Sequence, residues 1–168
     1  MNEQKGHDKH EAHRRLVTRL QQQAEDIRRL SSGLEEASLA KRTTTDKWSL
    51  KELVCHLWRV QQVFEGRLET MLAQENPIIE RYAPEGDLAF NELLARPATE
   101  CVSSFIAARS LFTQRLEGLS RAEWHRPGRH PEFAHFDVHF QVEYMAHHEA
   151  HHIYQMFQRR TPFGKTPH

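Results

Sequence analysis

The segment His147-His148-Glu149-Ala150-His151-His152 is the most informative stretch of this sequence, because it bears on both local structure and a candidate site. It lies within residues 136–160, which contain neither glycine nor proline. Pro162 and Gly164 follow directly, and such residues commonly end helices. The sequence therefore predicts a long final helix, from about residue 136 to residue 160, with four histidines near its middle.

These four histidines have the spacing of metal ligands on a helix. Side chains four residues apart lie on one helix face, about 5–6 Å from each other. The segment therefore offers two pairs, His147 with His151 and His148 with His152. Either pair can bind one divalent ion, at nitrogen–metal distances of about 2.0–2.1 Å. Spacing alone leaves the choice between the pairs open, and the competing interpretation is a solvated polar face.

Residues 148–152 also fit the H-E-x-x-H pattern of zinc peptidases, in which the glutamate is the general base. In those enzymes a third ligand usually follows downstream and a strand lies beside the helix. This sequence has neither the usual downstream ligand nor a predicted strand. It therefore disfavours a metallopeptidase.

Nearer the N-terminus, Trp48-Ser49-Leu50-Lys51-Glu52 has the pattern that begins a helix. Ser49 suits the N-cap, and Glu52 stands three residues further on, where a capping box requires it. The tryptophan precedes the cap at the position of a hydrophobic staple. Apolar residues then recur every three or four positions, which predicts an amphipathic helix that ends before Pro77.

His56 lies near the apolar beginning of this second helix. Taken alone, a histidine in such a place is more often a hydrogen-bonded core residue than a ligand. Beside a histidine pair it becomes the candidate third ligand, because metal sites inside bundles take ligands from facing helices. Three neutral imidazoles leave a coordination position open for water, which is typical of catalytic rather than structural zinc.

Two more helices complete the predicted fold. One covers about residues 10–40, with a break or an end near Gly33, and the other covers 98–119, with Thr99 as its N-cap. No segment shows the alternation of a strand. We therefore predict an all-α protein, a four-helix bundle with long connections after helices 2 and 3.

The length of 168 residues suits a single domain. We expect the bundle to occupy residues 10–160, between a flexible N-terminus, residues 1–9, and a C-terminal tail, residues 161–168. The long connections are expected at residues 77–97 and 120–133, where prolines and glycines concentrate.

Composition excludes several classes of function. Lys and Arg total 23, as do Asp and Glu, and there is no basic stripe with interleaved aromatic residues, so no nucleic-acid partner is expected. Apolar runs are far shorter than a membrane span and the N-terminus has no apolar signal segment, so we expect a cytoplasmic protein without a membrane partner. Cys55 and Cys101 are then interpreted as two free, buried thiols.

Two motifs resemble those of a known family, the DinB-like (damage-inducible) superfamily of metal-binding four-helix bundles, and its DinB_2 branch in particular. Residues 48–57 resemble the family's W-S-[ILV]-K-E-x-x-x-H-L opening of the second helix. Residues 148–156 resemble its H-[DE]-x-H-H-x-x-Q-[IM] final helix. The resemblance covers about residues 10–160 and implies the same bundle fold.

The resemblance also implies a ligand set. It selects His56, His148 and His152, a choice that spacing could not make, for a divalent metal ion with zinc or nickel as the first candidates. Glu149 is the candidate catalytic base or ligand-orienting carboxylate, with a surface carboxylate as the competing interpretation. Glu52 is assigned to the capping box. No role is assigned to four other histidines: His135, His139, His147 and His151.

The reaction that the resemblance implies is less specific. Relatives include metal-dependent thiol transferases that use bacillithiol, a mycothiol-dependent isomerase and proteins assigned as hydrolases. We therefore expect a metal-dependent hydrolase or thiol transferase acting on a small electrophile, with a small-molecule substrate and a low-molecular-weight thiol as partners. The alternative is a non-catalytic metal-binding stress-response protein. A homodimer is compatible with the sequence.

Overall fold

Helices form all the regular structure in the described part of the chain, which comprises the backbone of residues 2–168 and the side chains of residues 10–168. In the computed structural model the helices are, in chain order, α1 (Asn2–Ser31), α2 (Glu36–Ala40), α3 (Leu50–Ala73), α4 (Leu88–Leu94), α5 (Ala98–Glu117), α6 (Arg121–Trp124), α7 (Val138–Arg160) and a short 3-10 helix (Thr161–Phe163). Between residues 2 and 168 there are isolated β-bridges but no strand. The predicted all-α class is therefore confirmed.

The four long helices, α1, α3, α5 and α7, form a four-helix bundle, as predicted. α1 packs against α5 and α7, and α3 packs against the same two helices. α1 and α3 are therefore diagonal to each other, and so are α5 and α7. The long connections follow α3 and α5, as predicted, and each contains one short helix, α4 or α6.

Two clusters of apolar side chains make up most of the interior of the bundle, because each long helix turns its apolar face inward. Both cysteines, Cys55 and Cys101, lie in this core as free thiols, as predicted. None of the described helices is long and apolar enough to cross a membrane.

The capping box predicted at the start of α3 is present. Ser49 Oγ accepts a hydrogen bond from the Glu52 backbone N–H at 3.2 Å, and the Glu52 carboxylate accepts one from the Ser49 backbone N–H at 2.8 Å. The same carboxylate pairs with Arg42. Glu52 is therefore engaged at the helix start, as assigned, and the cap fixes where His56 stands on the helix.

The break predicted near Gly33 is present: the first predicted helix, residues 10–40, is divided after Ser31, because Gly33 has a φ of 69°, which an α-helix does not accept. Two helix starts differ from those predicted. α1 begins at Asn2 rather than near residue 10. The final helix begins at Val138 rather than at residue 136, because the Asp137 side chain caps it by accepting from the Phe140 N–H at 2.7 Å. The N-terminal segment, residues 1–9, was predicted to be flexible. Met1 and the side chains of residues 2–9 lie outside the described part of the chain, so this prediction is not tested.

The predicted N-cap of the third long helix is wrong. Thr99 lies inside α5, which begins at Ala98. The carboxylate of Glu36, from α2, accepts the Ala98 N–H through both oxygens, at 2.8 Å each. A carboxylate more than sixty residues away in sequence therefore takes the place of a local cap, and it also neutralises the partial positive charge of the helix start.

The two long connections pair with each other beside the bundle. Ile79 N–H donates to the Arg129 carbonyl, and Arg129 N–H donates to the Pro77 carbonyl, both at 2.8 Å. Gly128 permits this close approach, because a Cβ atom there would lie 2.9 Å from Cγ1 of Ile79. The pairing brings both connections to the same side of α3 and α7, where they border the candidate site.

Candidate metal centre

Three imidazoles from two facing helices meet inside the bundle. His56 comes from α3, and His148 and His152 stand one turn apart on α7. The Nε2 atom of His148 lies 3.3 Å from Nε2 of His56 and 3.1 Å from Nε2 of His152. One ring nitrogen from each of the three lies within 4.8 Å of the other two. The structure thus brings together the three residues that the family resemblance selects.

The spacing of these nitrogens fits a divalent metal ion. Two nitrogens bound tetrahedrally to one ion at about 2.05 Å would lie about 3.3 Å apart. The two measured Nε2 separations, 3.3 and 3.1 Å, agree with this value. Within residues 10–168 no carboxylate, thiol or fourth imidazole joins the cluster. A set of three protein ligands is typical of metal sites that keep a position open for water or substrate.

All three rings are held in the neutral form that binds metal. Burial lowers the pKa of His56 to about 3, and the nearby His152 and His148 add to the shift. Burial, with His152 and His151, lowers the pKa of His148 to about 4. Burial also lowers the pKa of His152. A neutral imidazole has a nitrogen lone pair for a metal, whereas an imidazolium ion has none.

Neighbouring side chains fix the orientation of two of the rings. Nδ1 of His152 lies 2.8 Å from Oε1 of Gln155, so the ring donates there and directs the Nε2 lone pair at the cluster. The Trp48 ring packs on His56, with centroids 4.9 Å apart, and lies 6.5 Å from the His152 ring. Phe90, from α4, contacts His56 edge-on at 6.2 Å. Trp48 therefore covers the site as well as preceding the α3 cap.

The other two histidines of the segment face away from this cluster. His147 is exposed, and its Nδ1 lies 3.5 Å from the Arg19 guanidinium. His151 is exposed, and its Nε2 lies 3.1 Å from the side-chain amide of Gln155. Because residues 147 and 151 are rotated from 148 and 152 by one helix position, only one of the two pairs can face α3.

Glu149, the candidate base, lies in the core and outside the cluster of imidazoles. Its two carboxylate oxygens accept from Arg109 Nη1 at 2.8 Å and from Nη2 at 2.5 Å. Both side chains are only 2% exposed. The structure therefore places the Glu149 carboxylate in a buried ion pair rather than beside the three histidines.

Arg109 is a buried core residue to which the sequence assigned no role. Beyond Glu149 on α7, it donates to Gln61 Oε1 on α3 at 2.6 Å and to the Leu20 carbonyl on α1 at 2.8 Å. Arg109 itself lies on α5, so one guanidinium joins all four long helices. The signal available in the sequence is an arginine between the apolar residues Phe105 and Phe112, on the inward face of a helix.

A cavity of about 290 Å³ opens beside the three imidazoles. His56 and His148 form part of its wall, so at least two of the clustered rings are reached from it. The remaining wall combines aromatic and charged side chains from α3, α7 and both long connections: Phe64, Arg67, Tyr82, His130, Phe133 and Tyr144. Such a recess beside a three-histidine cluster can admit a small molecule.

Comparison with protein families assigns the chain. The sequence model of the DinB superfamily, in its DinB_2 form, matches residues 19–156. The chain belongs to the DinB superfamily. The match includes α3 and α5 in full, the second part of α1, most of α7 and the three clustered histidines.

A solved structure has the same fold as this DinB-superfamily protein. YfiT from Bacillus subtilis, described as a probable metal-dependent hydrolase with an unusual four-helix bundle topology, superposes with a TM-score of 0.78. The two are 15% identical, and the similarity covers 92% of this chain and 89% of YfiT. At that identity the likeness shows the shared fold alone. No protein of curated function matches the sequence.

The DinB-superfamily bundle has a second, separate group of histidines between α1, α6 and α7. His13 is buried and stacks on Trp124, with ring centroids 4.4 Å apart and planes 7° from parallel. His139 and His125 lie 5.2 and 5.6 Å from the His13 ring. His139 therefore packs in this group rather than at the metal centre, and His135 is exposed.

The second histidine group should make stability depend on pH. Burial, with His139, His125 and His10, lowers the pKa of His13 from 6.5 to about 4, and only Asp137 opposes the shift. Because the unfolded chain then binds a proton more readily, stability should fall as pH drops from about 6.5 towards 4. His13→Phe keeps the stack on Trp124 but has no imidazole to protonate. We therefore expect its free energy of unfolding to fall by about 2 kcal/mol less than that of wild type over this pH range.

Urea unfolding of both proteins between pH 4 and pH 7, with chelator present, measures this difference. The comparison cancels protonation of the metal-centre histidines, which both proteins share. Equal pH dependence in the two proteins would show that His13 is not held neutral by the fold.

Proposed function

We propose that this chain binds one divalent metal ion through His56, His148 and His152 and is a metal-dependent hydrolase or thiol transferase acting on a small electrophile. One observation carries the proposal: three neutral imidazoles converge beside a cavity whose wall includes His56 and His148, with no fourth protein ligand among residues 10–168. YfiT, which shares the fold, is described as a probable metal-dependent hydrolase. Zinc and nickel are the first candidates, because both accept imidazole ligands.

The protein residues position the three imidazoles. When bound, a divalent ion lowers the pKa of a water or thiol ligand and so supplies a nucleophile at neutral pH. The three ligands carry no charge, so an anionic oxygen or a thiolate is favoured at the open position. Gln155 orients the His152 ring through a hydrogen bond. Trp48 and Phe90 pack against the His56 ring and hold it in place.

Glu149 acts indirectly in this proposal. Its ion pair with Arg109 is buried inside the bundle. Glu149 directly follows the ligand candidate His148 in the sequence. We infer that the pair holds α7 at the correct rotation for His148 and His152 to face α3. It is thus a positioning pair, and the nucleophile is activated at the three histidines.

Two assays on the metal-loaded protein test the proposal. One follows hydrolysis of p-nitrophenyl acetate without thiol, and the other follows conjugation of cysteine to chlorodinitrobenzene. We expect metal-dependent turnover in at least one assay, abolished in His152→Ala. His147→Ala, at an exposed residue of the same helix that contacts Arg19, is the matched control and should keep both metal and activity. Full metal loading without metal-dependent turnover in either assay would contradict the enzyme and favour the alternative, a non-catalytic metal-binding protein.

A further inference from the structure

Arg67 carries the unbalanced charge of the cavity. Its Nη2 donates to the backbone carbonyl of Glu80 at 2.5 Å, and its guanidinium lies 5.1 Å from the centre of the Phe64 ring. Neither contact neutralises the cation. Burial lowers the pKa of Arg67, and the opposing influence comes from Tyr144, not from a carboxylate of residues 10–168. The side chain is therefore a half-buried cation without an acidic partner in the described part of the chain.

The other charged groups of the cavity do not balance Arg67. Arg81 and Glu132 pair with each other at 3.5 Å, and both side chains are exposed at the rim. Burial, together with Arg67 and Arg81, lowers the pKa of His130 against the opposing influence of Glu132, which favours the neutral imidazole. The cavity thus has a net positive charge, which comes from Arg67. A half-buried cation without an acidic partner is stabilised by a ligand that supplies the counter-charge.

Arg67 and the metal centre lie at opposite ends of one wall. His56, Phe64 and Arg67 follow one face of α3, at helical spacings, and all line the cavity. His56 and Arg67 are separated by about 16 Å along the helix axis, from a rise of about 1.5 Å per residue. The Arg67 side chain lies over the ring of Phe64, a residue that stands between Arg67 and His56 along α3. The charge is therefore directed back towards the three histidines.

Aromatic rings form the wall between the two ends. Phe64 stacks on Tyr144 at 6.0 Å, Tyr144 stacks on His148 at 6.3 Å, and Phe133 packs edge-on against Tyr144 at 5.6 Å. A ligand lying along this wall would meet an apolar middle, a cation at one end and the metal ligands at the other. The recess of about 290 Å³ limits it to a small molecule.

From this arrangement we propose that the substrate is a small organic acid whose carboxylate binds Arg67 while its reactive centre lies at the three histidines. The inference rests on the proposed function, since it assigns the substrate class of the same site. A carboxylate is favoured over a phosphate because one guanidinium balances one negative charge and offers two parallel donors to it. The bond to Glu80 leaves further N–H donors of the guanidinium for this purpose.

Cobalt-loaded protein provides a test that does not require turnover. Mercaptohexanoate and mercaptohexanol both offer a thiol to the metal, and they differ only in whether the far end is a carboxylate. Thiolate binding is followed by the charge-transfer absorption of cobalt. We expect wild type to bind the acid about tenfold more tightly than the alcohol, as for one charge-assisted hydrogen-bonded pair. In Arg67→Gln the preference should fall below about twofold.

Two further variants control this result. Arg67→Lys keeps the charge and should keep most of the preference. Arg115→Gln makes the same change in net charge at an exposed residue that pairs with Glu69, outside the cavity, and should leave the preference unchanged. The cobalt spectrum before thiol addition verifies that each variant retains the metal centre, and hence its fold.

The outcomes separate the two proposals. If cobalt does not bind, or mercaptohexanol does not perturb its spectrum, the proposal of a metal site with an open position is wrong. The organic-acid inference, which depends on that site, is then wrong as well. If both bind but wild type shows no preference for the acid, or Arg67→Gln keeps the wild-type preference, only the assignment of an organic acid is overturned.

Discussion

Replacing His148 by alanine is expected to abolish tight metal binding, with a loss of zinc or nickel affinity of roughly a thousandfold or more. Even the loss of a hydrogen-bond partner outside the ligand set commonly costs metal proteins about 10–100-fold, and removal of a ligand costs more. His148 should be the most sensitive of the three, because its Nε2 is within 3.3 Å of Nε2 of both other rings. The remaining pair would be His56 and His152, held by different helices.

His147→Ala is the matched control for this prediction. It makes the same substitution on the same helix, one residue away, at an exposed side chain that contacts Arg19. Competition with a chromogenic chelator gives the affinities of wild type and both variants. Metal should also raise the melting temperature of wild type and His147→Ala but not that of His148→Ala, because only a folded site binds the ion. An equal loss of metal affinity in both variants would show that the ligands have been assigned to the wrong face of α7.

The local features of this fold could be predicted from sequence, and the reason is physical. The Ser49–Glu52 capping box involves groups only three residues apart, so the sequence pattern alone predicts its hydrogen bonds. The two histidine pairs on α7 follow from helical periodicity alone. The choice between the pairs does not, because it depends on the rotation of α7 about its axis, which packing against α3 determines.

Features that depend on distant residues were missed or misplaced. Thr99 has the residue type of an N-cap, but Glu36 reaches the helix start from another helix and takes that position. Glu149 stands between two metal-ligand candidates, and local sequence gives no sign that its carboxylate meets Arg109 forty residues away. The cavity likewise forms from two connections that pair only in the folded chain, through Ile79 and Arg129.

Breaking the buried pair of Arg109 and Glu149 is expected to be the largest single change in stability. Arg109→Met leaves a carboxylate in the core without a partner, and it removes the donor to the buried Gln61 Oε1. Loss of one partner from a buried ion pair typically costs about 3–5 kcal/mol. Glu149→Met should cost a similar amount, because it leaves the guanidinium unpaired in the same place. Urea unfolding at neutral pH with chelator present measures both without any metal contribution.

The double variant Arg109→Met/Glu149→Met distinguishes an ion pair from two independent residues. With both charges removed, no unpaired ion remains in the core, so its loss of stability should be at least about 2 kcal/mol smaller than the sum of the single losses. Arg115→Met, in an exposed pair with Glu69, is the control and should change stability by less than about 1 kcal/mol.

The same variants address what Glu149 does for the metal centre. If the pair positions α7, the double variant should regain part of the metal affinity that Glu149→Met loses, because the core is again without an unpaired charge. If Glu149 instead takes part in the chemistry, the double variant should regain stability and metal affinity without regaining turnover. Buried against Arg109 through both carboxylate oxygens, Glu149 has no oxygen directed to the cluster of three imidazoles. We therefore expect metal affinity and stability to change together across the series.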